Sequence, residues 1–443
     1  MQPTQQNSAP PANLRKSVFT RHKASFFAGV LFLLLFSGPP KFRVRDAAAS
    51  LYGEIDLSII VNVIVWGLAG MWVCYQLFRA YYSRKRFPLR LWFPQKVAGL
   101  MILFLGASTA VSLAPQVTAF KVYQILVAFL FTLIFAEWYG IETCLNRLLL
   151  GSSLLCAIVA VAAFVAPDLA VAASETGFPR LRGQGITEAG FAATFALVLL
   201  LTTRRRISKP TFIGLGAFLS TILFLSLARV GWLALAVFFA VALIKRPQIK
   251  TLPWVYLFWV SAMIGVAAGI IGRISDMRDP ETVFTLSGRL GLWAFLGSTT
   301  LARSPWLGFG YLAGTRDLGM QYDPELGSGH SIFFDVFVGG GLLSLALFLI
   351  LIIVLTVKAV KLLRARRDAV SFAVASVFIV ILLFSFVGED IDSSPFGFTF
   401  WALVTMLPLL GGQAAHSLPS PIQVKALPSG STRLPPHGHS SPA

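Results

Sequence analysis

The sequence predicts an all-α polytopic membrane protein with about twelve transmembrane helices and one large outward loop that itself contains short helices. Three observations carry this. Of 443 residues, 56% are hydrophobic and only 13% charged, a balance far outside that of soluble domains of this length. The apolar residues fall in runs near the ~20 residues that cross a bilayer. The connections between runs alternate in charge, as the excess of Lys and Arg in cytoplasmic loops demands. The formal net charge of +18 would suggest nucleic acid in a soluble protein. Here the basic residues segregate by connection, so they read as a topology signal, and no nucleic-acid partner is expected.

Residues 1–23 form a polar, basic, cytoplasmic tail. The first apolar run, Ala24 to Ser37, is stopped by Pro39-Pro40. A secretory signal peptide has the same layout, but the small residues Ala47-Ala48-Ala49 lie well past the apolar core, so an uncleaved first span is expected. Further runs start near Leu57, Val97, Ala119, Leu148, Ala189, Phe212, Gly231, Trp254, Ser331, Ala369 and Pro395. Together they make a membrane domain over 24–412. Residues 413–443, rich in Pro, Ser, Gly and His, bury too little apolar surface to fold and form a disordered cytoplasmic tail. Glycines within the runs, among them Gly67, Gly70, Gly214 and Gly216, fit close helix packing.

One set of connections carries Arg79 to Lys96, Arg147, Arg204 to Lys209, Lys245 to Lys250 and Lys358 to Arg367, and is cytoplasmic. The other set carries most of the carboxylates, including Glu54, Asp56, Asp168, Glu188, Asp317, Asp323, Asp390 and Asp392. Both termini are then cytoplasmic and the stretch Ser287 to Gly341 faces outward.

Arginines on the outward side are exceptions to the charge rule. Arg229, in LSLARVGW, lies in a connection so short that its charge falls at the membrane surface. Such a charge marks a pathway or binding site, or snorkels to lipid phosphate. Arg180 and Arg182 precede an apolar run in the same way, and Arg289 opens a short helix to Leu301 with Leu290, Trp293, Ala294 and Leu301 on one side. That stripe suits a helix lying in the membrane interface. Several guanidinium groups at one surface suit a diphosphate, which takes paired hydrogen bonds from a planar fork.

His330 is the one histidine between the tails and sits directly before an apolar run. The free N–H groups of a helix start favour an anion, and a neutral imidazole is a base suited to near-neutral pH. A lone histidine is more often structural, so its role stays open at this point. Asp335 falls roughly 140° round a helix from His330, so no carboxylate–imidazole pair is implied. Gly339-Gly340-Gly341 allows a kink or close crossing. Cys74, Cys144 and Cys156 show no paired spacing, and neither a disulfide nor a zinc site follows.

These residues resemble the bacterial O-antigen ligase and polymerase family (the Wzy_C superfamily). Ser287-Gly288-Arg289, Pro305-Trp306-Leu307-Gly308-Phe309-Gly310-Tyr311 and the Gly-rich approach to a histidine over Gly327 to Leu343 carry the likeness. LARVGW and RLRGQG add to it, and the likeness extends over most of Leu57 to Leu410. The resemblance implies a GT-C-like fold in the bacterial inner membrane with a periplasmic catalytic loop over 273–330. It implies transfer of a glycan from an undecaprenyl-diphosphate carrier to a hydroxyl of a saccharide acceptor, either lipid A-core or a growing polysaccharide, with no metal and no cofactor. His330 would be the general base, and Arg229, Arg289 and Arg182 or Arg180 would hold the leaving diphosphate. Ser331 stands where the family commonly has Asn, and Ala228-Arg229-Val230 stands for Ser-Arg-Gly.

Rival readings stay on the page. A polymerase of the same family uses the same donor chemistry. A metal-dependent oligosaccharyltransferase would draw on Asp390 and Asp392 with Glu54 and Asp56, although short acidic pairs are common in solvated loops. A transporter would bury ionisable groups near the bilayer midplane, where these spans lack them.

Overall fold

The computed structural model describes residues 26–38, 57–84, 91–173, 179–181, 188–203, 207–226, 228–245, 289–323, 329, 331–365, 368–386 and 395–416. Among them run thirteen helices: α1 (Phe26–Ser37), α2 (Leu57–Arg84), α3 (Phe93–Ala107), α4 (Pro115–Tyr139), α5 (Ile141–Val165), α6 (Glu188–Thr203), α7 (Lys209–Ser226), α8 (Arg229–Lys245), α9 (Arg289–Arg303), α10 (Ala313–Tyr322), α11 (Ile332–Ala365), α12 (Ala369–Ser385) and α13 (Pro395–His416). Strands β1 (Val171–Ala173) and β2 (Pro179–Leu181) pair antiparallel after α5, with Ala172 opposite Arg180. Pro at the first or second position opens α3 and α4, where a missing N–H costs nothing. Asp368 caps α12 by accepting from the amide of Ser371 at 2.8 Å, which gives this carboxylate a local reason to sit on the basic side of the chain.

Six of these helices are long and apolar enough to cross a membrane, and five more are shorter apolar helices of 10–17 residues. All coincide with runs expected from the sequence; the run starting at Trp254 lies outside the described residues. The short helices α6 and α12 are buried on nearly every side, from Ala189 to Leu200 and from Ser371 to Phe378, as befits the centre of a bundle. By contrast α2 presents Ile60, Ile64, Met71 and Phe78 outward, a lipid-facing surface.

Helix α1 belongs to the core. Phe32 is fully buried, with its ring 4.8 Å from that of Phe135 on α4 and 4.9 Å from that of Phe398 on α13. The placement of Arg147 differs from expectation: it stands in the second turn of α5, not in a connection, because the chain turns earlier, at Gly140. Its guanidinium carbon lies 3.0 Å from where a Cβ on Gly29 would be.

The glycine expectation holds only in part. A Cβ on Gly70 would overlap the Tyr123 hydroxyl, whereas Gly67 and Gly214 face open space. The tight crossings are elsewhere, at Gly190 against Ala228 and Gly231 against Thr194, where α6 and α8 start side by side.

Helix α11 is not one continuous span. Gly341 has φ 67° and ψ −168°, a region open essentially to glycine alone. Fifteen residues of unbroken helix separate their ends by about 22 Å, yet the rings of Phe333 and Phe348 lie 5.4 Å apart. The chain therefore bends sharply at Gly341, and residues 332–340 lie alongside the second half of α11, not stacked on its end.

Candidate functional site

The break at Gly341 frees backbone groups, and the Pro305–Tyr311 segment satisfies them. Phe309 and Gly310 donate to the carbonyls of Val338 (2.8 Å) and Gly339 (3.2 Å), and Leu342 donates to Pro305 (2.8 Å). Buried polar backbone needs such partners. A Cβ on Gly308 would overlap the Val338 carbonyl, and one on Gly341 would overlap the Trp306 carbonyl, so the two glycine-bearing segments meet backbone to backbone. Gly308 also takes φ 64°. The joint is tied to the bundle through Thr118 of α4, which donates to the Tyr311 carbonyl at 3.2 Å.

Helices α9 and α10 cover residues 332–340 from outside. Leu292 and Leu296 of α9 and Leu318 of α10 pack against Val338, with Phe334 at the edge. The buried face of α9 is thus Leu292, Leu296 and Thr300. The stripe singled out in the sequence is the other face: Leu290 and Leu301 are exposed. Both faces are apolar, one for protein and one left to the surroundings.

Trp293 connects this covering layer to the approach to position 330. Its indole stacks on Phe334, with centroids 5.2 Å apart and planes 10° from parallel, and its Nε1 donates to the carbonyl of Gly329 at 2.8 Å. The amide of Gly329 donates to Oδ1 of the fully buried Asp335 at 3.2 Å. His330 itself lies outside the described residues, but its two covalent neighbours, Gly329 and Ser331, are both buried.

Arg289 begins α9 one turn before Trp293, on the same helical face. It is half-buried, and loss of water lowers its pKa from the ordinary value, since desolvation disfavours the charged form. A guanidinium stays protonated at any working pH, so the cost appears as a stronger pull on an anion. Arg229 opens α8. That end of α8 joins the same region through α12: the ring of Phe386, in the turn closing α12, lies 5.0 Å from Phe333, and Phe384 lies 5.1 Å from Phe191 of α6. Phe191 adjoins Gly190, which abuts Ala228. Arg229 and Arg289 therefore start their helices at one end of the bundle, on either side of residues 329–333. Arg180 stands in β2, which packs on α7. Arg182 lies outside the described residues, as do Ser287, Gly288, Glu54, Asp56, Asp390 and Asp392.

One expectation is corrected. The first turn of α11 was expected to offer free N–H groups to an external anion. The carboxylate of Asp335 reaches back from that turn to the amide of Gly329, placing the protein's own negative charge there and disfavouring a second anion. Sequence register placed Asp335 away from position 330, but a side chain folding back over its own helix start escapes that geometry. Sequence reading also missed the tie from Trp293 to Gly329; an indole among apolar residues gave only its ring, not its N–H, as a signal. Among the described residues no group of three His, Cys, Asp or Glu could hold a metal.

Fold and site define a multi-pass helical membrane protein with an arginine-bearing surface helix clamped over a broken span. No protein-family model matches the chain, and no curated protein matches it.

Proposed function

We propose that the chain is a glycosyltransferase of the O-antigen ligase type, moving a glycan from an undecaprenyl-diphosphate carrier to a sugar hydroxyl of lipid A-core at the periplasmic face of the inner membrane. In this reading twelve spans of a GT-C-like fold put both termini in the cytoplasm. His330 takes the proton of the acceptor hydroxyl as that oxygen attacks the anomeric carbon. The bond to the carrier breaks, and Arg289 and Arg229, with Arg182 or Arg180, hold the departing diphosphate, whose developing charge a planar guanidinium fork stabilises.

The observation that supports this most is the tie between Trp293 and Gly329 at 2.8 Å. It joins the helix that Arg289 opens to the residue before His330, two segments that the chemistry requires together and the sequence holds 36 residues apart. The half-buried state of Arg289 fits an anion-binding role.

A polymerase of the same family would use the same groups. Deletion of the gene separates the two. Loss of a ligase leaves long lipid-linked chains stranded and core bare, whereas loss of a polymerase leaves core capped with single units. Core capped with single units in the deletion strain would assign the chain as a polymerase. Full transfer by His330→Ala protein in a reconstituted assay would remove the base from the mechanism.

A further inference from the structure

We propose that Trp293 and Asp335 are positioning residues that hold the Gly329 peptide as a fixed platform for the imidazole at position 330; this rests on the reading of His330 as the base. The Gly329 N–H and C=O are taken by two side chains from different helices, Asp335 Oδ1 at 3.2 Å and Trp293 Nε1 at 2.8 Å. Neither partner is free to swing. Asp335 is 1% exposed in the first turn of α11, and the Trp293 ring is stacked on Phe334. The site has no slack on its third side either: a Cβ on Gly329 would come within 2.7 Å of Asp335 Oδ1 and 2.9 Å of Thr315 Cγ2. Clamping a buried peptide from two rigid helices fixes the following residue more closely than a loop can, and small misplacements of a reacting group cost large factors in rate.

The clamp also couples the covering helix to the base. Because Trp293 lies one turn from Arg289, an anion drawn to Arg289 bears on the same helix that grips Gly329. The residues gripping the diphosphate and the residue taking the proton are then set by one rigid piece.

The test uses the full chain in liposomes, with the lipid-linked chains that accumulate in the deletion strain as donor. Trp293→Phe keeps the stacked ring and removes the donor N–H; Asp335→Ala removes the acceptor, and Asp335→Asn restores an acceptor oxygen without charge. The expected result is a kcat at least tenfold lower for Trp293→Phe and Asp335→Ala, donor KM within twofold of the parent, and recovery to within threefold in Asp335→Asn. Carbethoxylation by diethyl pyrocarbonate, read peptide by peptide, gives a second readout that needs no substrate. The rate at His330 shifts at least threefold in Trp293→Phe and Asp335→Ala, while His22, His416, His437 and His439 keep their parental rates. Parental kcat and parental His330 reactivity in both variants would overturn the clamp. Undiminished transfer by His330→Ala would overturn the base assignment instead, leaving the reactivity of His330 to judge the clamp by itself.

Discussion

The amide of Phe309 donates to the carbonyl of Val338 at 2.8 Å, across 29 residues of chain. This bond and its neighbour from Gly310 to Gly339 replace helix bonds lost at Gly341. The broken span and the Pro305–Tyr311 segment are thus one structural unit, and neither can be altered without the other.

Gly341→Ala is expected to destabilise the protein by about 3 kcal/mol or more, because φ 67° with ψ −168° excludes a side chain and the new Cβ overlaps the Trp306 carbonyl. Thermal unfolding of the protein in detergent checks this. A melting temperature equal to that of the parent would mean the bend is not held as described.

The starts of α6 and α8 supply a matched pair of glycine substitutions. Gly190→Ala puts a Cβ onto that of Ala228 and is expected to cost about 1–3 kcal/mol. Gly214→Ala, on the open side of α7, is expected to be neutral or to stabilise by up to about 1 kcal/mol through helix propensity. Equal melting temperatures for the two variants would count against the crossing of α6 and α8.

Arg289 supports a prediction about ligand-linked stability. Its lowered pKa means that folding charges it against partial desolvation, a penalty present wherever the pH lies below the folded-state pKa and relieved only in strong alkali. Across the working range the penalty is therefore constant, and an anion offsets it. Inorganic pyrophosphate should raise the melting temperature of the parent, and Arg289→Gln should lose that increment while melting no lower than the parent without ligand. A full pyrophosphate increment in Arg289→Gln would show that the anion binds elsewhere.

Arg289→Lys should lose transfer at least tenfold with the protein still folded, because a point charge lacks the paired geometry of the fork. Initial rates in the liposome assay check this. Rates within twofold of the parent would reduce Arg289 to a long-range charge.

His330→Ala should abolish transfer while leaving insertion and melting temperature unchanged, since the clamp grips Gly329 and not the imidazole. Residual transfer above about 1% of the parent would be more than loss of a general base, worth 10²–10⁴-fold, ordinarily leaves.

Eleven of the apolar runs were legible because burial in lipid imposes length and composition on each helix separately. The bend at Gly341 was legible as a possibility, since three successive glycines in a span ask for a backbone reason. Its partner was not, because a backbone amide such as that of Phe309 leaves no mark in the sequence. Asp335 was read by helical register alone and so was placed on the wrong side of the argument.

What the sequence determined by itself was the helical membrane class, the position of nearly every described span and the presence of uncommon arginines between them. Each is a local property, set by transfer of side chains between water and lipid. What only the tertiary structure decided was which pieces meet: Trp293 with Gly329, Asp335 folded back to the same peptide, and the starts of α8 and α9 gathered at one end. Those contacts depend on directional bonds and shape across distant segments, and composition carries no record of direction.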